Sequence, residues 1–199
     1  MVEEGGAPAG VKRELLFVQG GGRAVHEAWD QKLVDSLRRE LGPEYEIHYP
    51  RMPAEDEPKY AAWKTTLERE LRVLKPGAIL VGHSVGGTIL LGVLAEESLG
   101  RDLGGIFLVA APFAGDGGWP SDDLRFPADL GARLPPGTPI HFFQGLDDEV
   151  VPPSHVELCA RAVPRAHIHR LPGRDHQFND DLSELAHAIS RLDAPRQLE

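Results

Sequence analysis

Two segments near the middle of the chain, Ala78–Gly82 (AILVG) and Gly105–Ala110 (GIFLVA), are apolar at successive positions. A strand with one wet face would alternate apolar and polar residues instead. Unbroken apolar runs predict strands covered on both faces, as in a parallel sheet with helices above and below. Glu14–Gln19, Glu46–Tyr49, Ile140–Phe143 and His167–Leu171 fit as further strands. Between them lie helical stripes. Trp29, Leu33, Leu37 and Leu41 recur every four residues, and Tyr60, Trp63, Leu67, Leu71 and Leu74 recur at three and four. Leu182, Leu185, Ile189 and Leu192 repeat the pattern near the C-terminus. Each stripe needs a sheet to cover. Strand–helix alternation of this kind implies an α/β fold with right-handed crossovers.

A chain of 199 residues suits one domain, spanning 1–199, with a substantial core. Residues 1–10 and 194–199 read as disordered tails. Residues 112–139 break the rhythm with six prolines, several glycines, Trp119 and Phe126. A connection that long is more often functional than inert, and it is expected to form a short lid or pocket wall.

The formal net charge of −10 disfavours nonspecific binding to nucleic acid or to an anionic membrane. The single cysteine, Cys159, permits no internal disulfide and fits a reducing compartment. The first residues lack the charged-then-apolar order of a signal peptide. No apolar run approaches the roughly 18 residues of a membrane span. The expected location is cytoplasmic. Oligomeric state is left open by the sequence.

Between the expected strand Ala78–Gly82 and an expected helix, about 85–98, stands Gly82-His83-Ser84-Val85-Gly86. A side chain held on a sharp strand-to-helix turn sits in strained backbone, and its neighbours must be nearly bare. The turn also places Ser84 at a helix N-terminus, where the Val85 N–H can meet an oxyanion. The plainer reading is a glycine-bracketed turn whose serine caps the helix. A nucleophilic serine needs a base, and the base needs an orienting acid. Asp147 and Asp148 follow the expected strand Ile140–Phe143, and His176 follows His167–Leu171. All fall just past the C-terminal ends of parallel strands, the usual ligand edge of an open α/β sheet.

With these pieces in order, the sequence resembles the α/β-hydrolase family over roughly Glu14 to Leu192. The carrying segments are Gly82 to Gly86, Gly145 to Pro152, and Gly173 to His176. The resemblance implies a three-layer fold with about six mostly parallel strands flanked by helices. It also implies a Ser84–Asp148–His176 triad. Gly145, Asp148, Val151 and Pro152 match the family's acid loop and select Asp148 over Asp147. By size the chain is similar to the small, nearly capless serine hydrolases of the retinoblastoma-binding protein 9 type.

In the family the loop after the first strand supplies a second oxyanion donor. Here that loop is Gly20-Gly21-Gly22, with Gln19 where the common histidine would stand. Gly21 is the expected donor, with Gly22 next, alongside Val85. A dinucleotide fingerprint would need a glycine where Val25 stands. The implied activity is a serine hydrolase cleaving a small ester or related acyl substrate, with no metal and no organic cofactor. Two other readings stay open: a non-catalytic binding protein on the same fold, and a cofactor-free peroxidase- or lyase-type activity on the same triad.

The remaining candidates have bland readings. His83 should point away from Ser84 and pack the turn. His26 and Trp29 either line a pocket or pack a helix start. His167 and His169 share a strand face but lack a third metal ligand nearby. Cys159 reads as a small buried hydrophobe.

Overall fold

The computed structural model describes residues 12–97 and 100–192. The expected tails, 1–10 and 194–199, lie outside the described residues. Six strands form one sheet: β1 (Arg13–Val18), β2 (Tyr45–His48), β3 (Ile79–His83), β4 (Gly105–Val109), β5 (Ile140–Gly145) and β6 (His167–Leu171). Their order is β2-β1-β3-β4-β5-β6, and every pair is parallel. All six strands match segments expected from the sequence, with no end displaced by more than two residues.

Helices cover both faces, so the domain has three layers. α1 (Asp30–Leu41) and α6 (Ser183–Arg191) lie on one face. There Leu33, Val34 and Leu37 meet Leu185 and Ile189 over Phe17, Val81 and Phe107. α2 (Tyr60–Val73), α3 (Ser84–Glu96), the short α4 (Leu130–Arg133) and α5 (Ser154–Ala162) lie on the other. There Trp63, Leu67 and Leu71 pack with Leu90, Leu94, Val156 and Cys159 over Leu16, Leu80 and Leu108. The strands β3 and β4 are buried at every position. That burial on both faces is the physical source of their unbroken apolar sequence.

α3 departs from the amphipathic pattern. Among Ser84–Ala95 only Val85 escapes full burial. It sits in the middle of its layer, between α2 and the segment that carries α4, so no side of it needs to be polar. α5 was not expected from the sequence. It is nine residues long, and its buried side chains are His155, Val156 and Cys159, too weak an apolar stripe to announce a helix.

The strand order reverses at β1, with β2 on one side and β3 on the other. In open α/β sheets such a switch point leaves a crevice beyond the carboxyl ends of the two central strands. Gly20 to Gly22 follow β1 and Ser84 follows β3, so both elements face that crevice.

Candidate functional site

Ser84 is the first residue of α3 and has φ of 51°, in the left-handed region. A serine there carries strain of about 1–3 kcal/mol and persists only where its surroundings impose it. The glycines around it show how. A Cβ on Gly82 would stand 2.5 Å from Gly87 Cα, and a Cβ on Gly86 would collide with the backbone oxygen of Gln19. β3, the start of α3 and the end of β1 are in backbone contact, and no larger residue fits at either position.

His176 Nε2 lies 3.0 Å from Ser84 Oγ, and His176 Nδ1 lies 2.9 Å from Asp148 Oδ2. The three side chains come from the loops after β3, β5 and β6. Asp148 is buried, whereas Asp147 beside it is exposed on the rim. Asp148 Oδ1 accepts the N–H groups of Val150 (2.9 Å) and Val151 (2.8 Å), and Oδ2 accepts the Gln144 amide (3.0 Å). Burial works against charge on this carboxyl. The hydrogen bonds from His176, Val151 and Val150 outweigh it and hold the group below the usual carboxylate range. A carboxylate so fixed keeps the Nδ1 proton of His176 in place and leaves Nε2 to accept from Ser84.

The three glycines after β1 have different duties. Gly20 N–H donates to Asp30 Oδ2 at 2.7 Å, and Gly22 N–H donates to the Glu55 carbonyl at 2.6 Å. Gly21 N–H has no acceptor among the described residues and borders the cleft. A Cβ on Gly21 would press on Pro58 Cγ at 2.5 Å and Val85 Cγ1 at 2.8 Å. Gln19, in the place of the family's histidine, is buried and braces the loop. Its amide donates to Glu55 Oε2 at 2.8 Å, and its carbonyl accepts Met52 N–H at 3.0 Å.

The cleft over Ser84 has a volume of about 620 Å³. Gly21, Trp29 and Val25 wall one side, and Val150, Asp147 and Gln177 the other. Trp29 therefore faces the cleft. His26 does not: its ring stacks on Tyr49 at 4.1 Å and its Nε2 meets the Tyr49 carbonyl. No residue of 112–139 borders this cleft. Phe113 and Trp119 wall a second cavity of about 150 Å³, shared with Val85 and Tyr60. Phe126 is in the core.

Three of the other histidines, His141, His167 and His169, contact one another on β5 and β6. His141 Nδ1 lies 3.0 Å from His169 Nε2, and His167 stacks on His141 at 4.7 Å. Burial and these two neighbours push His141 down to about 4. Cys159 is buried, and desolvation pushes its thiol up to about 12, so it is a poor nucleophile.

Residues 15–195 match the family model described as the alpha/beta hydrolase family. The chain belongs to that family. Solved hydrolase-fold structures superpose over most of its length. The ydeN gene product from B. subtilis is 19% identical, with 92% of this chain and 100% of that chain covered and a TM-score of 0.70. Est1E from Butyrivibrio proteoclasticus is 14% identical, with 91% and 87% covered and a TM-score of 0.64. XC6422 from Xanthomonas campestris, described as an a/b serine hydrolase without lid, is 19% identical, with 90% and 79% covered and a TM-score of 0.60. At these identities the likeness shows the fold. No curated protein matches the sequence. No helix among the described residues of this hydrolase is long and apolar enough to cross a membrane.

Two parts of the site escaped the sequence reading. Asp30, at the head of α1, is fully buried beneath the site and binds His83 as well as Gly20. His83 packs the turn through hydrogen-bond contacts, its Nδ1 to Asp30 and its Nε2 to the His176 carbonyl. Gln144, which holds Asp148, also donates to the Val151 carbonyl at 3.1 Å. A buried glutamine at a strand end two or three residues before an acidic loop was its only sequence signal.

Proposed function

We propose that this hydrolase is a serine hydrolase acting by covalent acyl transfer. The observation that carries the proposal is the unbroken hydrogen-bonded chain Ser84–His176–Asp148, with Ser84 held at positive φ. Ser84 Oγ attacks the carbonyl carbon of the substrate while His176 Nε2 takes its proton. The tetrahedral oxyanion is met by the Val85 and Gly21 N–H groups. Collapse expels the leaving group, which takes the proton from His176 and leaves an acyl-Ser84 ester. Water repeats the sequence, giving up a proton to His176 and releasing the acid. Asp148 orients the imidazole and stabilises the imidazolium throughout. None of these steps calls for a metal or an organic cofactor.

The substrate class is a small ester or related acyl compound. The cleft is wide and unroofed by 112–139, which favours small, freely diffusing substrates over long chains that need a tunnel. It also supports placing the chain with small, nearly capless serine hydrolases, the type that the likeness to retinoblastoma-binding protein 9 implies. The Xanthomonas neighbour, described as lacking a lid, points the same way.

A fluorophosphonate probe tests the reading. The wild-type chain should label, and Ser84→Ala should abolish both labelling and hydrolysis of p-nitrophenyl acetate. Labelling that survives the substitution removes Ser84 from the mechanism. Failure of the wild type to label would favour a binding protein on the same fold.

A further inference from the structure

Two buried charged side chains lie beneath Ser84, and no step of the acyl transfer uses them. Asp30 is 0% exposed and His83 is 2% exposed. His83 Nδ1 stands 3.0 Å from both carboxylate oxygens of Asp30. His83 Nε2 stands 3.0 Å from the carbonyl oxygen of His176. A carbonyl oxygen can only accept, so Nε2 carries a proton. Asp30 Oδ2 also accepts Gly20 N–H, and Oδ1 accepts the Gln177 amide at 3.1 Å. The two oxygens of Asp30 thus meet three nitrogen donors, an arrangement that favours the ionised carboxylate over the acid, with the third proton on Nδ1. An imidazole that donates from both nitrogens is an imidazolium.

We infer that His83 is a buried imidazolium throughout the neutral range, and that the Asp30–His83 ion pair is a positioning clamp for the site. Its contacts have a pattern. Gly20 precedes the oxyanion donor Gly21, His83 precedes the nucleophile Ser84, and Gln177 follows the base His176. One ion pair therefore grips the backbone or side chain next to each working group, at the loop after β1, the end of β3 and the loop after β6. His83 also holds the carbonyl of His176 itself.

The electrostatics agree with the geometry. Burial opposes charge on both members. For His83, the charge and hydrogen bond of Asp30 outweigh it, helped by the His176 carbonyl and by Asp148, and its pKa is raised. For Asp30, the His83 charge and the bonds from His83, Gly20 and Gln177 outweigh burial, and its pKa is lowered. The other titratable groups facing the pair are His176, whose ring lies 5.1 Å from that of His83, and Tyr49, which feels the Asp30 charge. Desolvated charges persist in such a place only when paired and fully hydrogen-bonded, and here they are.

The effect of the clamp on turnover rests on the serine-hydrolase reading, but its charge state does not. Long-range proton–nitrogen spectra of the nitrogen-15-labelled wild type, assigned with His83→Gln, read the charge directly. His83 should show protons on both ring nitrogens through pH 8. A single neutral tautomer at pH 7.5 overturns the inference whatever the enzyme does. Kinetics on p-nitrophenyl acetate read the clamp. Asp30→Asn should lower kcat about tenfold or more, with KM changed less than about twofold, because misplaced groups weaken the transition state and not ground-state binding. An unchanged kcat in a folded Asp30→Asn overturns the clamp. Should that variant not fold, the neutral pair Asp30→Asn with His83→Gln carries the same test. Loss of fluorophosphonate labelling in the wild type would instead strike the serine-hydrolase reading and leave the charge assignment standing.

Discussion

Asp148 reaches His176 Nδ1 at 2.9 Å while its other oxygen is held by two backbone N–H groups, those of Val150 and Val151. The carboxylate cannot swing away, and among the described residues its side-chain partners are His176 and Gln144. Asp148→Asn would keep the shape and reverse the logic: an amide can donate where the carboxylate accepts, and His176 would be held in the wrong tautomer. On the proposed mechanism kcat for p-nitrophenyl acetate falls by about 10⁴-fold, with the fold intact by circular dichroism. A loss under tenfold would assign the acid to another residue, with Asp147 the nearest alternative.

Strain at Ser84 makes a prediction about stability. Its φ of 51° is costly for a residue with a Cβ and free for glycine. Ser84→Ala keeps the strain, and Ser84→Gly relieves it. The glycine variant should therefore be more stable than the alanine variant by about 1 kcal/mol net, once the entropy that glycine loses on folding is set against the relieved strain. For a domain of this length that is a rise in Tm of about 2–4 °C. Equal melting temperatures for the two inactive variants would mean the turn relaxes without cost.

Much of this architecture was legible because it is written in local patterns. β3 and β4 are apolar at every position since both faces are covered, and Ser84 stands out since Gly82 and Gly86 must be bare where backbones touch. The choice between Asp147 and Asp148 was not local. The residues alone left both open, the family's acid-loop pattern chose Asp148, and burial is the physical difference between them. Asp30 was invisible for a related reason. It begins an ordinary amphipathic stripe, and its partners Gly20, His83 and Gln177 are separated from it by 10, 53 and 147 residues. The sheet order sets the ends of β1 and β3 side by side, and the loop after β6 carries Gln177 across to them. Residues 112–139 wall a cavity other than the cleft over Ser84: Phe113 and Trp119 stand there with Val85 and Tyr60.

The proposed oxyanion donor can be probed through the space it lacks. Gly21 has Pro58 and Val85 against the position a Cβ would take. Gly21→Ala leaves the N–H in the chain but forces the loop outward, and with it the donor. Loss of one such donor costs about 10²–10³ in kcat. The same change at Gly42, where a Cβ would meet nothing within 4 Å but a φ of 71° strains any other residue, should cost some stability and leave kcat unchanged. If Gly21→Ala retains full activity, the second donor lies elsewhere in the loop.

The Asp30–His83 pair should also imprint itself on stability as a function of pH. The pKa of Asp30 is lowered in the fold, so its contribution is present above the unfolded carboxylate value, about 4, and is lost as pH falls through the lower folded value. The pKa of His83 is raised, so its contribution is complete below the unfolded imidazole value, about 6.5, and is lost as pH rises through the higher folded value. The pair therefore stabilises most between about pH 4 and 6.5. Denaturant unfolding of the wild type and of Asp30→Asn with His83→Gln, compared from pH 4 to 9, should show a difference that is largest in that window and shrinks toward alkaline pH. The single change Asp30→Ala should be worse than the double at neutral pH, since it leaves a buried imidazolium unpaired, a situation that typically costs about 3–5 kcal/mol. A stability difference that grows steadily from pH 6.5 to 9 would have the wrong sign for a cation at His83 and would place the proton elsewhere.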